Sequence, residues 1–232
     1  MDKTEVQERA GGKPIRKLAP KLALIFLALA AIIFVPAGTW DYWQGWVFFA
    51  SILALATAVL IYLAKNAPGL LERRLQARER EAPQKLILKL GSICAAALIV
   101  LPGLDRRWGW SRVPPAVVLA ADAVFLWAYL YIFRVFRVNS YASRTVEVVP
   151  GQTVITTGPY ALVRHPMYLG MLVMYLAMPL ALGSFWALLA YPPLPFIFAF
   201  RISNEEEVLT RDLAGYEEYR EKVRFKVLPR IW

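Results

Sequence analysis

Cysteine and histidine are almost missing from this 232-residue chain, which has one of each, Cys94 and His165. A lone cysteine excludes an internal disulfide, and a single His with a single Cys excludes a His/Cys metal cluster, so no metal is expected. Charge is sparse too: 19% of residues are Asp, Glu, Lys or Arg, and the 17 acidic residues are outnumbered by 27 basic ones. No G-x-G-x-x-G follows a strand pattern and no strand–helix alternation occurs, which excludes a doubly wound dinucleotide fold. Internal repeats and Gly/Ser linkers are also lacking, so the chain reads as one membrane domain with appendages.

What is abundant is apolar surface. Hydrophobic residues make up 58% of the chain, above the ~45–50% of soluble domains. A spanning helix needs about 20 mostly apolar residues. Residues 45–64 supply such a run without a charge, 22–38 a shorter one leading into Trp40, Tyr42, Trp43 and Trp46, and 86–103 a third if Lys89 snorkels. Residues 114–133 are apolar apart from Asp122. From 167 to 200 the chain is apolar throughout, and Gly183-Ser184 divides it into two short arms of a helical hairpin. Pro179, Pro192, Pro193 and Pro195 point to bent helices there. The first run lacks a good small-x-small cleavage site and is followed by more spans, so it reads as a retained helix.

Six crossings place both ends on one side, and the basic residues test this. The stretches 1–21, 65–89, 134–164 and 201–232 hold 24 of the 27 Lys and Arg; only Arg106, Arg107 and Arg112 fall opposite. The asymmetry predicts an integral, multi-pass membrane protein with both termini cytoplasmic. The net charge of +10 therefore records orientation and contact with anionic lipid, and no nucleic-acid partner is expected. The expected fold is all-α, a polytopic bundle of four spans plus a short C-terminal helical hairpin and a cytoplasmic amphipathic C-terminal helix. Its parts are a basic tail (1–21), spans 1–4 (22–138) and a core (139–232).

Two stretches flanking the hairpin carry chemistry. In Gly158-Pro159-Tyr160-Ala161-Leu162-Val163-Arg164-His165-Pro166-Met167-Tyr168, Gly-Pro is a turn and Pro166 suits the first helical position. His165 then sits at a helix N-terminus, where free N–H groups favour an anion, between the aromatic faces of Tyr160 and Tyr168. In the second stretch, Ser203-x-x-Glu206 has capping-box spacing, so a helix is expected to begin there. Leu209, Leu213, Tyr216, Tyr219 and Val223 recur at helical intervals and predict one amphipathic helix. Asp122, inside a span, is either functional, paired with Lys89 or Arg112, or set in a polar gap between helices.

Taken together, Gly-Pro-Tyr-x-x-Val-Arg-His-Pro-Met-Tyr-x-Gly, the apolar hairpin, Glu-Glu-x-x-Leu and a Tyr-x-x-Tyr tail resemble the isoprenylcysteine carboxyl methyltransferase family, related to the membrane phospholipid methyltransferases. The resemblance covers about residues 139–232. It implies an S-adenosylmethionine-dependent enzyme that methylates a lipophilic acceptor, a small molecule or a prenylated chain, on a carboxyl group. Phospholipid N-methylation is the alternative, and a small transporter or scaffold using Asp122 the non-enzymatic one. Carried over by residue, His165, Pro166, Met167, Tyr168 and Tyr160 line the cofactor site. Gln152, Thr153, Val154 and Ile155 form a further cofactor segment, and Glu205, with Glu206 as competitor, holds a polar group of the cofactor. Arg201 matches an arginine assigned to the acceptor; Arg164 flanks the hairpin beside it, and both are candidate acceptor contacts. Arg201 and His165 are the candidate catalytic residues, and Asn139, Ser140 and Arg144 lie just upstream of this core.

Overall fold

The computed structural model describes residues 20, 22–67, 82–139, 141 and 148–232. Ser140, Arg144 and most of the expected basic tail lie outside these residues. Among the described residues the chain is all-helical, with seven α-helices and no strand. They are α1 (Leu22–Ala37), α2 (Trp43–Asn66), α3 (Ala82–Trp108), α4 (Pro115–Val138), α5 (Pro166–Ala181), α6 (Pro193–Asp212) and α7 (Tyr216–Lys222). Short 3-10 turns at Gly158–Ala161 and Trp186–Ala190 precede α5 and α6. Four segments are long and apolar enough to cross a membrane: Trp43–Asn66, Lys85–Trp108, Pro115–Val138 and Trp186–Asp212. Leu22–Ala37 and Pro166–Ala181 are shorter apolar helices. The protein is a multi-pass membrane protein.

Three turns meet at one end of the bundle, where side chains tie them together. Tyr42 donates to the Leu182 carbonyl at 2.5 Å, and Arg106 Nη2 donates to the Asp41 carbonyl at 2.7 Å. Buried Asp105 accepts from the Ser184 and Ser111 hydroxyls. The Gly183-Ser184 break is thus an anchored hairpin turn, and Gly183 takes a φ of 78° there. Asp122 pairs with neither Lys89 nor Arg112; its Oδ2 accepts from Ser51 Oγ at 2.7 Å, joining α4 to α2. Two neighbouring helices brought within reach of a hydroxyl decided that partner, which spacing along the chain does not reveal.

Helices in a bilayer gain no hydrophobic energy from meeting each other, so close packing of small residues holds them. Gly170 on α5 is such a place: an added Cβ would lie 2.6 Å from Ile132 Cγ1 and 3.1 Å from Tyr131 Cδ1 of α4. Gly170→Val is expected to wedge α4 from α5 and cost about 1–3 kcal/mol, read as an earlier thermal unfolding midpoint in detergent. An unchanged midpoint would mean that the two helices do not meet there.

Two expectations about the C-terminal region are corrected. Ser203 caps nothing: α6 runs unbroken from Pro193 to Asp212, and the Ser203 hydroxyl donates to Ala199 O within it at 3.1 Å. No residue between Pro195 and Asp212 interrupts the ladder, so the capping-box spacing is incidental. The single amphipathic helix is also two pieces. Leu213 is extended and Gly215 adopts φ 81°, a left-handed conformation that glycine takes without penalty, before α7 starts. The apolar face nevertheless survives, because Leu209, Leu213, Tyr216, Tyr219 and Val223 pack together with Val148 and Val154.

Candidate functional site

The end opposite the anchored turns holds Arg164, His165, Arg201, Glu205 and Glu206. Proline at the first position of α5 leaves His165 as its N-cap residue, outside the helical conformation at φ −124°, ψ 61°. The C-terminal segment then pairs with this approach. Arg164 N–H donates to Phe225 O at 2.9 Å and His165 N–H to Lys226 O at 2.8 Å. Arg164 Nη1 donates to the carbonyls of Val223 and Arg224 at 2.8 and 2.9 Å, and Tyr219 donates to Tyr160 O at 2.7 Å. Residues 213–227 are thereby strapped across the 158–165 turn.

This pairing changes the expected anion site. Pro166 has no N–H, the His165 amide is taken by Lys226, and the Tyr168 amide donates to His165 O at 3.2 Å. The α5 N-terminus is largely closed by the chain itself.

Adjacent glutamates on a helix point about 100° apart, and here that separates their environments. The Glu206 side chain is 9% exposed and sits among three side chains: Arg164 Nε donates to Oε1 at 2.7 Å, His165 Nε2 lies 3.2 Å from Oε1, and Lys226 Nζ lies 3.1 Å from Oε2. The Glu205 side chain is 26% exposed, accepts from the Tyr168 hydroxyl at 2.8 Å, and has Oε1 3.9 Å from His165 Nδ1. The Tyr168 hydroxyl in turn accepts from Arg201 Nε at 3.0 Å. A continuous polar chain therefore runs Arg201–Tyr168–Glu205.

Two cavities adjoin this chain. The smaller, about 100 Å³, is walled by Gln152, Thr153, Val154, Ile155, Tyr160, Arg164, His165, Met167, Tyr168 and Glu205. Asn139, Tyr141, Leu209, Leu213, Tyr216 and Tyr219 complete the wall. The larger, about 560 Å³, opens between α2, α3, α4, α5 and α6 and is lined by aliphatic and aromatic side chains, with Arg201 the charged residue on its wall. Met167 and Tyr168 border both.

Most residues singled out in the sequence thus meet in one place, with three differences. Glu206 and Pro166 do not line the small cavity. Arg164 borders the small cavity and not the large one, and its guanidinium holds Glu206 and the strap. Tyr141, Leu209, Leu213, Tyr216 and Tyr219 also wall the small cavity; for all but Tyr141 the helical periodicity, with Glu-Glu-x-x-Leu and Tyr-x-x-Tyr, was the visible signal. Burial pushes the Tyr160 hydroxyl up to about 12, and it pushes those of Tyr216 and Tyr219 up as well. All three phenols are neutral at physiological pH, and Tyr160 accepts from Asn139 Nδ2 at 2.9 Å. Among the described residues no three His, Cys, Asp or Glu side chains gather as metal ligands.

Long apolar helices around two adjoining cavities, one polar and one apolar, define a membrane protein with a candidate ligand site at one end of its bundle. Residues 116–214 match the model of the phospholipid methyltransferase family, which belongs to the isoprenylcysteine carboxyl methyltransferase-like group of membrane methyltransferases. The match starts inside α4, upstream of the resemblance read from residue 139, and makes this stretch of the chain similar to the membrane methyltransferases. No curated protein matches the chain.

Proposed function

We propose that the chain transfers a methyl group from S-adenosylmethionine, bound in the small cavity, to a carboxylate on a lipophilic acceptor whose apolar part occupies the large cavity. The observation that carries this reading is the shared wall. Tyr168 and Met167 border both cavities, and the Tyr168 hydroxyl bridges Glu205 on the polar side to Arg201 on the apolar side. Two reactants held in these cavities are brought to the same pair of residues.

The residues of the small cavity fit the cofactor chemically. Glu205 is a carboxylate suited to an ammonium group, the neutral tyrosines suit an adenine face or a sulfonium, and Val154, Ile155, Leu209 and Leu213 suit apolar ring edges. When bound, the cofactor supplies an electrophilic methyl group. At about 100 Å³ the cavity is below the ~300–1,000 Å³ of ordinary ligand sites. Binding therefore requires the cavity to widen.

In the large cavity, Arg201 is the cation that can orient an ionised carboxylate, and the apolar lining strengthens that attraction by excluding water. A carboxylate is already deprotonated near neutral pH, so the protein's contribution is alignment and desolvation rather than proton removal. The family match favours a second reading, N-methylation of a phospholipid headgroup. Arg201 would then face the phosphate, and Glu205 or His165 would remove a proton from the amine. On either reading the site lies at the end of the bundle that the basic excess along the sequence predicts to be cytoplasmic.

Purified protein in mixed micelles with methyl-labelled S-adenosylmethionine decides between them. Label is expected in a prenylcysteine analogue and not in phosphatidylethanolamine. Label in phosphatidylethanolamine alone would replace the first reading by the second, and label in neither acceptor, with no binding of the cofactor, would overturn both.

A further inference from the structure

Glu206 sits behind the small cavity rather than in its wall, yet it contacts His165, which is in the wall. Its carboxylate is ionised, because Arg164 Nε lies 2.7 Å from Oε1 and Lys226 Nζ 3.1 Å from Oε2, and a guanidinium is charged at all accessible pH. An ionised carboxylate only accepts hydrogen bonds. The 3.2 Å contact between Oε1 and His165 Nε2 therefore requires the proton to be on Nε2. In a neutral imidazole the other nitrogen is then an acceptor. That other nitrogen, Nδ1, lies on the side of Glu205, 3.9 Å from its Oε1, and Glu205 is a cavity residue.

From this geometry we infer that Glu206 is a positioning residue that locks His165 as the Nε2–H tautomer and presents the Nδ1 lone pair toward the cofactor cavity. The cavity then holds two acceptors side by side, Glu205 Oε1 and His165 Nδ1, a pair matched to a ligand group with more than one N–H donor, such as an alkylammonium. This deepens the proposed function, since S-adenosylmethionine carries such a group. It also explains why the two glutamates are adjacent: one faces the ligand, and its neighbour orients the imidazole beside it. Lys226 belongs to the strap, so docking of residues 223–227 supplies one of the two cations that keep Glu206 ionised.

The chain has a single histidine, so nitrogen-15 histidine labelling gives one imidazole to observe. In full-length protein in detergent at neutral pH, without cofactor, one protonated nitrogen (Nε2) and one unprotonated nitrogen (Nδ1) are expected. Glu206→Gln, which removes the charge and keeps the shape, should mix in the Nδ1–H form and weaken S-adenosylmethionine binding about 10-fold, the equivalent of one hydrogen bond. Lys226→Met leaves Arg164 on Glu206 and should keep the wild-type tautomer. Protonated Nδ1, or a doubly protonated ring, in the wild-type spectrum would overturn the inference even if Glu206→Gln fails to fold. Because the spectrum is taken without cofactor, a wild type that binds no S-adenosylmethionine but shows the Nε2–H form would sink the proposed function and leave the tautomer assignment standing.

Discussion

Glu205→Gln is expected to weaken S-adenosylmethionine binding by about 10- to 100-fold, measured by calorimetry on detergent-solubilised protein. A hydrogen bond to a charged group contributes about 1.5–3 kcal/mol, and about 1.4 kcal/mol is a factor of ten in affinity. The substitution is a clean one. Its amide oxygen can still accept from the Tyr168 hydroxyl, now 2.8 Å from Oε2, so the Arg201–Tyr168 contact at 3.0 Å is retained. What is lost is the negative charge on the cavity wall. The thermal midpoint should therefore stay at the wild-type value while affinity falls. Unchanged affinity would move the ammonium site away from Glu205 and leave the small cavity without its principal charged ligand.

Arg164→Met acts on the fold instead. Arg164 has a side chain only 6% exposed and meets Glu206, Val223 O and Arg224 O. Removing one partner of a buried ion pair costs about 3–5 kcal/mol, because the remaining charge stays buried. Two strap carbonyls lose their donor as well. The C-terminal segment carries Arg220, Lys222, Arg224, Lys226 and Arg230, so trypsin reads its docking directly. Cleavage within residues 220–230 is expected to be much faster in Arg164→Met, with the helical bundle intact. Equal protection in the variant would show that the backbone bonds at Arg164 and His165 hold the strap without the guanidinium. S-adenosylmethionine binding should fall too, because Leu213, Tyr216 and Tyr219 wall the cavity only while the strap is docked.

Much of the site was legible because its residues are clustered along the chain. His165, Met167 and Tyr168 sit at the start of one helix, and Gln152, Thr153, Val154 and Ile155 form one run leading to it. A proline at helix position one and a Gly-Pro turn constrain the backbone locally, so a short motif delivers its side chains together. The glutamates show the opposite case. Composition and spacing leave Glu205 and Glu206 equivalent, and only the rotation of α6 against α5 and the strap buries one among cations and turns the other to the cavity. Asp122 is similar, since its partner Ser51 lies 71 residues away on a different helix. The five periodic residues from Leu209 to Val223 revealed a shared apolar face and concealed the break at Gly215, because a left-handed turn of this size preserves the face.

The long apolar runs by themselves determined that this is a helical membrane protein, and one cysteine and one histidine excluded an internal disulfide and a His/Cys cluster within these 232 residues. Hydropathy over 20 residues is a local property, and so is the excess of basic residues beside each run. Tertiary structure alone decided where the two cavities lie, that they share Tyr168 and Met167, and that Arg164 closes the strap. Those features depend on distances between helices far apart in the chain, which are set by the close approach at Gly170 and the anchored turns around Asp105 rather than by any residue's own preference.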